Sequence, residues 1–129
     1  MRIELTSIFV NDQDKALKFY TEKLGFVKKL DITAGEYRWL TVVSPENKDG
    51  TQLVLEPDNN PAAKAYHEAL FKQGAPIASF FVDDIQKEYE RLKKLGVKFT
   101  MEPTKVTGST MAVLDDTCGN LIQITQLQY

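Results

Sequence analysis

Two stretches of the chain alternate apolar and polar residues with a period of two, and each is followed by an apolar stripe of helical spacing. The first runs Leu5-Thr6-Ser7-Ile8-Phe9-Val10, and the second runs Ile77-Ala78-Ser79-Phe80-Phe81-Val82. Alternation of this kind predicts strands with one face turned to a core. An aspartate closes each stretch: Asp12 in the first, Asp84 in the second. Its carboxylate is placed to accept from the unpaired N–H groups of a helix start. Ala16, Leu17, Tyr20 and Leu24 then mark one buried stripe, and Ile85, Tyr89, Leu92 and Leu95 mark the other. Gly25 and Gly96 follow the last periodic residue and stop each helix. Beyond them the pattern returns to strands, predicted at 27–32, 37–43 and 51–56, and again at 99–102, 110–114 and 121–126.

The two halves are copies. Leu5 to Asp12 lies over Ile77 to Asp84 at a constant offset of 72, with Ser7, Phe9, Val10 and Asp12 matched identically. Leu24-Gly25-Phe26 lies over Leu95-Gly96-Val97 only after one residue is removed from the first copy. Each copy reads βαβββ, and the predicted fold class is α+β, two such modules curving around a shared mixed-sheet cleft. Module one covers about 1–57 and module two about 76–129. A linking helix at about 60–74 has Asn60 as cap, Pro61 in the first turn and Gly74 past the end. At 129 residues, the two modules are expected to share one core as a single domain spanning 1–129.

Composition narrows the function classes. Hydrophobic residues make up 43% and charged residues 26%, with a formal net charge of -2, so the clustered cations of a nucleic-acid binder are missing. Lys28-Lys29 and Lys93-Lys94 are the short basic runs, and both are expected on solvated surface. One cysteine, Cys118, cannot form an internal disulfide and reads as an unreactive turn residue. The N-terminus enters strand sequence directly, without the apolar run of a signal peptide. These features predict a complete cytoplasmic chain with no membrane partner.

The segments FVNDQDKALKFYTEKLGF, FFVDDIQKEYERLKKLGV and LDDTCGNLIQI occur in that order, the last ending in a turn and strand similar to "DPDGN" sequences. Together with the duplication they resemble the vicinal oxygen chelate superfamily of glyoxalases, bleomycin resistance proteins and extradiol dioxygenases. The resemblance implies paired βαβββ modules, frequent homodimerisation, and a cavity in which a divalent metal commonly chelates substrate oxygens. In metal-dependent members the ligands are His or Gln on the first strand of each module and Glu on the last. The matching positions here are Leu5 and Ile77, then Val54 and Gln123. Gln123 alone carries a donor atom. One amide oxygen falls short of the several donors a cation requires, so no metal and no other cofactor is expected.

The remaining candidates would line the cleft. Strand parity places Ser7, Phe9, Ser79 and Phe81 on the side away from the helices. The two serines read as small fillers or satisfied hydroxyls more readily than as catalytic groups. Met111 and Gln123 join this set. Arg38 and Trp39 sit in the aromatic strand Tyr37-Arg38-Trp39, where a ring and a cation suit an acidic or planar ligand. Being adjacent, only one of them faces the cleft. Glu56 is the candidate general base, its carboxyl raised by an apolar cavity; the plainer alternative is a hydrated strand-end carboxylate paired with Arg38. His67, the single histidine, is expected on the surface. The reading favoured is metal-independent binding of a small apolar or aromatic molecule in the inter-module cleft. The alternatives are a lyase, isomerase or dioxygenase-type enzyme using a metal or Glu56, and a dimeric ligand-sensing module.

Overall fold

The computed structural model describes residues 1–128. Its elements follow in the order β1 (Leu5–Val10), α1 (Gln13–Lys18) continuing into a π-helical turn (Phe19–Lys23), β2 (Val27–Ala34), β3 (Tyr37–Val43), β4 (Gln52–Pro57), α2 (Pro61–Lys72), β5 (Ala78–Phe81), α3 (Ile85–Lys94), β6 (Phe99–Val106), β7 (Ser109–Asp115) and β8 (Leu121–Leu127). The chain divides into two compact units, Met1–Ala65 and Tyr66–Tyr129. Each holds one βαβββ module with a four-stranded mixed sheet, ordered β1-β4-β3-β2 in the first and β5-β8-β7-β6 in the second. The first and last strands of a module run parallel, and the other neighbours run antiparallel.

In the first module the helix begins where predicted: the Asp12 carboxylate accepts from Lys15 N–H at 3.1 Å. Ala16, Phe19 and Tyr20 are buried, as are Ile8, Val10, Leu40, Val42, Leu53 and Leu55 of the sheet. Registers Ile8↔Leu55 and Val42↔Leu53 put these strand residues on one face, the α1 face. The second module repeats the plan. Asp84 caps α3 by accepting from Lys87 N–H at 3.1 Å. Ile85 and Leu92 are buried with Ala112, Leu114, Ile122 and Ile124.

The one-residue mismatch between the copies has a physical form. Leu24 N–H donates to Phe19 O, five residues back, whereas its counterpart Leu95 donates to Arg91 O, four back. The next two bonds differ in the same way: Gly25 to Thr21 against Gly96 to Lys93, and Phe26 to Tyr20 against Val97 to Leu92. The acceptors stay at the offset of 72 and the donors stand at 71, so the extra residue lies between Thr21 and Leu24. A π-helical turn is the helix form with such a widened loop. Gly25 and Gly96 then end both helices in the left-handed region, at φ +89° and +85°.

Most strand limits agree with the sequence pattern to within a residue or two, with one larger departure. Strand β6 continues through Pro103 to Val106 instead of ending at Glu102. It is an edge strand, and its register shifts between Met101 and Thr104. A bulge at an edge is where a residue without an N–H donor is tolerated.

His67 corrects a second expectation. It is buried, at 1% exposure, with Nδ1 3.2 Å from both Gly119 O and Asn120 Oδ1. Ala63, one helical turn earlier on α2, is buried too. The residues after the Cys118 turn thus provide the polar partners that let an imidazole enter a core. Asp116 completes this knot. Its Oδ1 accepts from Cys118 N–H at 2.7 Å and Asn120 N–H at 3.0 Å, and its Oδ2 from the Asn120 amide at 2.9 Å. Cys118 is buried within the turn.

Candidate functional site

Residue pairing sorts the candidate side chains by face. In the first module Ser7 pairs with Val54, Thr41 with Val54, and Leu30 with Thr41, so these four form one row across the face opposite α1. Two residues along each strand, Phe9 pairs with Glu56 and Ile32 with Trp39. Phe9, Glu56, Trp39 and Ile32 therefore make the next row on that face. In the first row Thr41 and Val54 are fully buried, Leu30 is half-buried and Ser7 at the sheet edge is exposed; in the second Phe9, Glu56 and Trp39 are half-buried and Ile32 is 52% exposed.

Tyr37 extends this second row. Its hydroxyl donates to Glu56 Oε1 at 3.0 Å, and its ring centroid lies 6.3 Å from that of Trp39 with the planes tilted by 44°. Partial burial, and then the neighbouring Glu56 carboxylate, push the Tyr37 phenol above its ordinary pKa. Tyr37 was not among the residues expected at the site. The same period of two that placed Trp39 there would have found it.

Arg38 points the other way. Strand alternation turns it to the α1 face, where its Nε and Nη2 donate to the two oxygens of Asp31, both at 2.9 Å, and Nη1 donates to Asp14 of α1 at 2.6 Å. Trp39 thus lies on the sheet face opposite α1, and Arg38 on the α1 face. The pairing of Glu56 with Arg38 is corrected as well, since Glu56 bonds to Tyr37 instead. Hydrogen bonding to Arg38 holds the Asp31 carboxyl below the usual carboxylate range, and the two carboxylates raise the guanidinium. Gln13 locks α1 to the sheet beside this group, donating to Arg38 O at 3.1 Å and Leu55 O at 2.8 Å.

The second module has matching rows. Ser79 pairs with Gln123, Gln123 with Val113, and Val113 with Met101. Phe81 pairs with Thr125, Thr125 with Met111, and Met111 with Thr104. Thr125 Oγ1 joins the two rows, 3.0 Å from Ser79 Oγ and 3.0 Å from Gln123 Nε2. Phe81 is 65% exposed. With Val82, Asp83, Gln126 and Leu127 it lines an open groove of about 270 Å³ at the end of β5 and β8. Gln126 is fixed from the other face, its side-chain oxygen accepting from Ile85 N–H at the start of α3, at 2.9 Å.

At the positions that match the family's metal ligands, Leu5, Val54 and Ile77 have no donor atom, and Gln123 has an amide whose Nε2 donates to Thr125 Oγ1 at 3.0 Å. Among the described residues no three His, Cys, Asp or Glu side chains gather into a cation site.

Residues 2–124 match the profile of the Glyoxalase/Bleomycin resistance protein/Dioxygenase superfamily. The chain belongs to that superfamily. A Bacillus subtilis (strain 168) relative described as "Uncharacterized protein YurT" is 62% identical over 126 residues, covering 98% of this chain and 99% of its own length. Among solved structures, UcmS2 is 35% identical with a TM-score of 0.84, and the match covers 97% of both chains. TnmS3, described as an antibiotic binding protein from Streptomyces sp. CB03234, is 27% identical with a TM-score of 0.79 over 99% of this chain and 97% of its own. The membership agrees with the resemblance read from the three sequence segments. No helix among the described residues is long and apolar enough to cross a membrane.

Proposed function

We propose that this chain binds a small aromatic molecule without a metal, and that the face opposite α1 in the first module supplies the main contact. The observation that carries this reading is the paired Tyr37 and Trp39 rings beside exposed Ile32, in a chain where the positions matching the family's metal ligands are Leu5, Ile77, Val54 and Gln123, with a single donor side chain among them. Ring faces offer a large apolar contact at low conformational cost, and such a platform stabilises a planar ligand. The antibiotic-binding description of TnmS3, a protein of the same fold, supports a small organic molecule as the ligand class.

Two measurements test the reading. Protein purified without chelator is expected to contain far less than one equivalent of Zn, Ni, Fe or Mn by elemental analysis; a stoichiometric metal would sink the metal-free part. A thermal-shift screen of aromatic metabolites and antibiotics is expected to yield ligands that stabilise by mass action. Trp39, the chain's single tryptophan, should report the same ligands by a change in fluorescence. If stabilising ligands leave Trp39 emission unaltered, the contact lies elsewhere.

A second reading, catalysis with Glu56 as general base, is favoured by the 3.0 Å bond from the Tyr37 hydroxyl, which gives the carboxylate a proton-exchanging neighbour. Its test is Glu56→Gln: any turnover found in the wild type should fall at least a hundredfold, and unchanged turnover removes Glu56 from the reaction.

A further inference from the structure

The face that carries the rings has an unbalanced charge. Along its two rows Ser7, Phe9, Leu30, Trp39, Thr41 and Val54 are neutral, and so is Tyr37 at neutral pH. Glu56 is the ionised group among them. The one arginine near this strand pair is turned to the α1 face and neutralised by Asp31 and Asp14. Glu56 is half-buried, and the Tyr37 hydroxyl donates to its Oε1, so Oε2 is the oxygen through which the carboxylate would meet a ligand. The Tyr37 bond holds the carboxylate beside the rings, so an incoming donor meets an acceptor already in place.

We propose that the ligand of this face is a planar aromatic cation, its ring against Trp39 and Tyr37 and its protonated nitrogen donating to Glu56 Oε2. The inference rests on the metal-free aromatic-binding reading above and adds the ligand's charge. Three physical terms point the same way. A cation over an indole or phenol face is attracted by the ring quadrupole. A charged donor to a carboxylate makes a stronger hydrogen bond than a neutral one. An anionic ligand would instead meet Glu56 with no cation on this face to offset the repulsion. The arrangement therefore reverses the acidic-ligand expectation that Arg38 had suggested.

The experiment uses three tricyclic probes of similar shape, titrated calorimetrically at low salt near neutral pH: proflavine as the cation, 9-anthracenemethanol as the neutral ring and 9-anthracenecarboxylate as the anion. Wild-type chain is expected to bind proflavine at least tenfold more tightly than the neutral probe and the anion most weakly. Glu56→Gln, which can keep the Tyr37 bond through its amide oxygen, should reduce the preference for proflavine to less than threefold. Tyr37→Phe, which leaves the charge but releases the carboxylate, should weaken proflavine several-fold and serves as the second variant. Trp39→Ala should weaken both proflavine and the neutral probe. Equal binding of proflavine and 9-anthracenemethanol by the wild type, or a preference that survives Glu56→Gln, overturns the cation assignment while leaving aromatic binding intact. If no probe binds, or if binding is indifferent to Trp39→Ala, the aromatic-binding reading falls and the cation assignment with it.

Discussion

Where Phe9, Glu56, Trp39 and Ile32 cross the first sheet, Phe81, Thr125, Met111 and Thr104 cross the second at matching register. One phenylalanine is common to both rows. The other positions exchange a carboxylate for a hydroxyl, an indole for a thioether and an isoleucine for a threonine. The backbone places these side chains alike, so the two modules differ in what they can recognise and hardly at all in how they fold. The first row is aromatic and anionic. The second joins a neutral knot in which Ser79, Thr125 and Gln123 satisfy one another. Fold-level likeness between the halves, as between relatives, leaves the chemistry to individual side chains.

The turns before the last strand show the reverse asymmetry, with the second module more committed. Asn120 is buried between His67 and Asp116, and its counterpart Thr51, also one residue after the turn glycine, is exposed. The largest effect we expect is therefore on stability. Asn120→Ala should cost about 2–3 kcal/mol in urea denaturation, because it strips partners from a buried imidazole and a buried carboxylate. Thr51→Ala should stay within about 0.5 kcal/mol. Similar costs at both positions would break the contrast between the turns. The next effect concerns binding. Trp39→Ala should weaken an aromatic ligand about tenfold, or about 1.4 kcal/mol, while Met111→Ala at the matching place should weaken it less than about threefold. Equal losses would mean that both rows share the ligand.

The smallest effect sharpens the comparison at Arg38, whose counterpart at the offset of 72 is Thr110. The folded chain lowers the Asp31 carboxyl, so this pairing contributes stability above roughly pH 4 and loses it as pH falls through the lowered value. Asp31 and Arg38 side chains are about one quarter exposed, which limits the contribution to about 1 kcal/mol or less. Arg38→Gln should cost that amount at pH 7 and progressively less toward pH 2. A cost that is independent of pH would show that lost packing by the guanidinium stem, and not the ion pair, is what matters.

Much of this arrangement was legible in the chain because strands and caps are local devices. Asp12 and Asp84 announce their helices, and the parity of β1 and β5 places Ser7, Phe9, Ser79 and Phe81 without any tertiary information. Arg38 and Trp39 resisted for a local reason too: neighbours on a strand face opposite ways, and the partners that decide between them, Asp31 and Asp14, come from other elements. The Tyr37–Glu56 bond joins residues 19 apart in sequence, and the His67–Asn120 contact joins residues 53 apart. A lone histidine amid Glu, Tyr and Lys reads as surface until the residues that receive it are known. The strand predicted at 99–102 fell short of its real length, since an edge bulge accepts Pro103 where a central strand would reject it.

The widened turn between Thr21 and Leu24 has a consequence for comparing sequences of this family. A surplus residue has been taken up inside a helix, not in a loop, so that Leu30 stands against Met101 at an offset of 71. The second module regains the residue inside a strand: the bulge of β6 between Met101 and Thr104 restores the offset of 72, at which Ile32 stands against Thr104 and Trp39 against Met111. An ungapped alignment of the two copies is therefore right at the ends of each module but shifts Val27 to Leu30 by one residue and exchanges their faces. The paired gaps belong at Glu22 or Lys23 and at Glu102 or Pro103, so a helical turn and an edge bulge absorb the difference in length while the central strands keep their register.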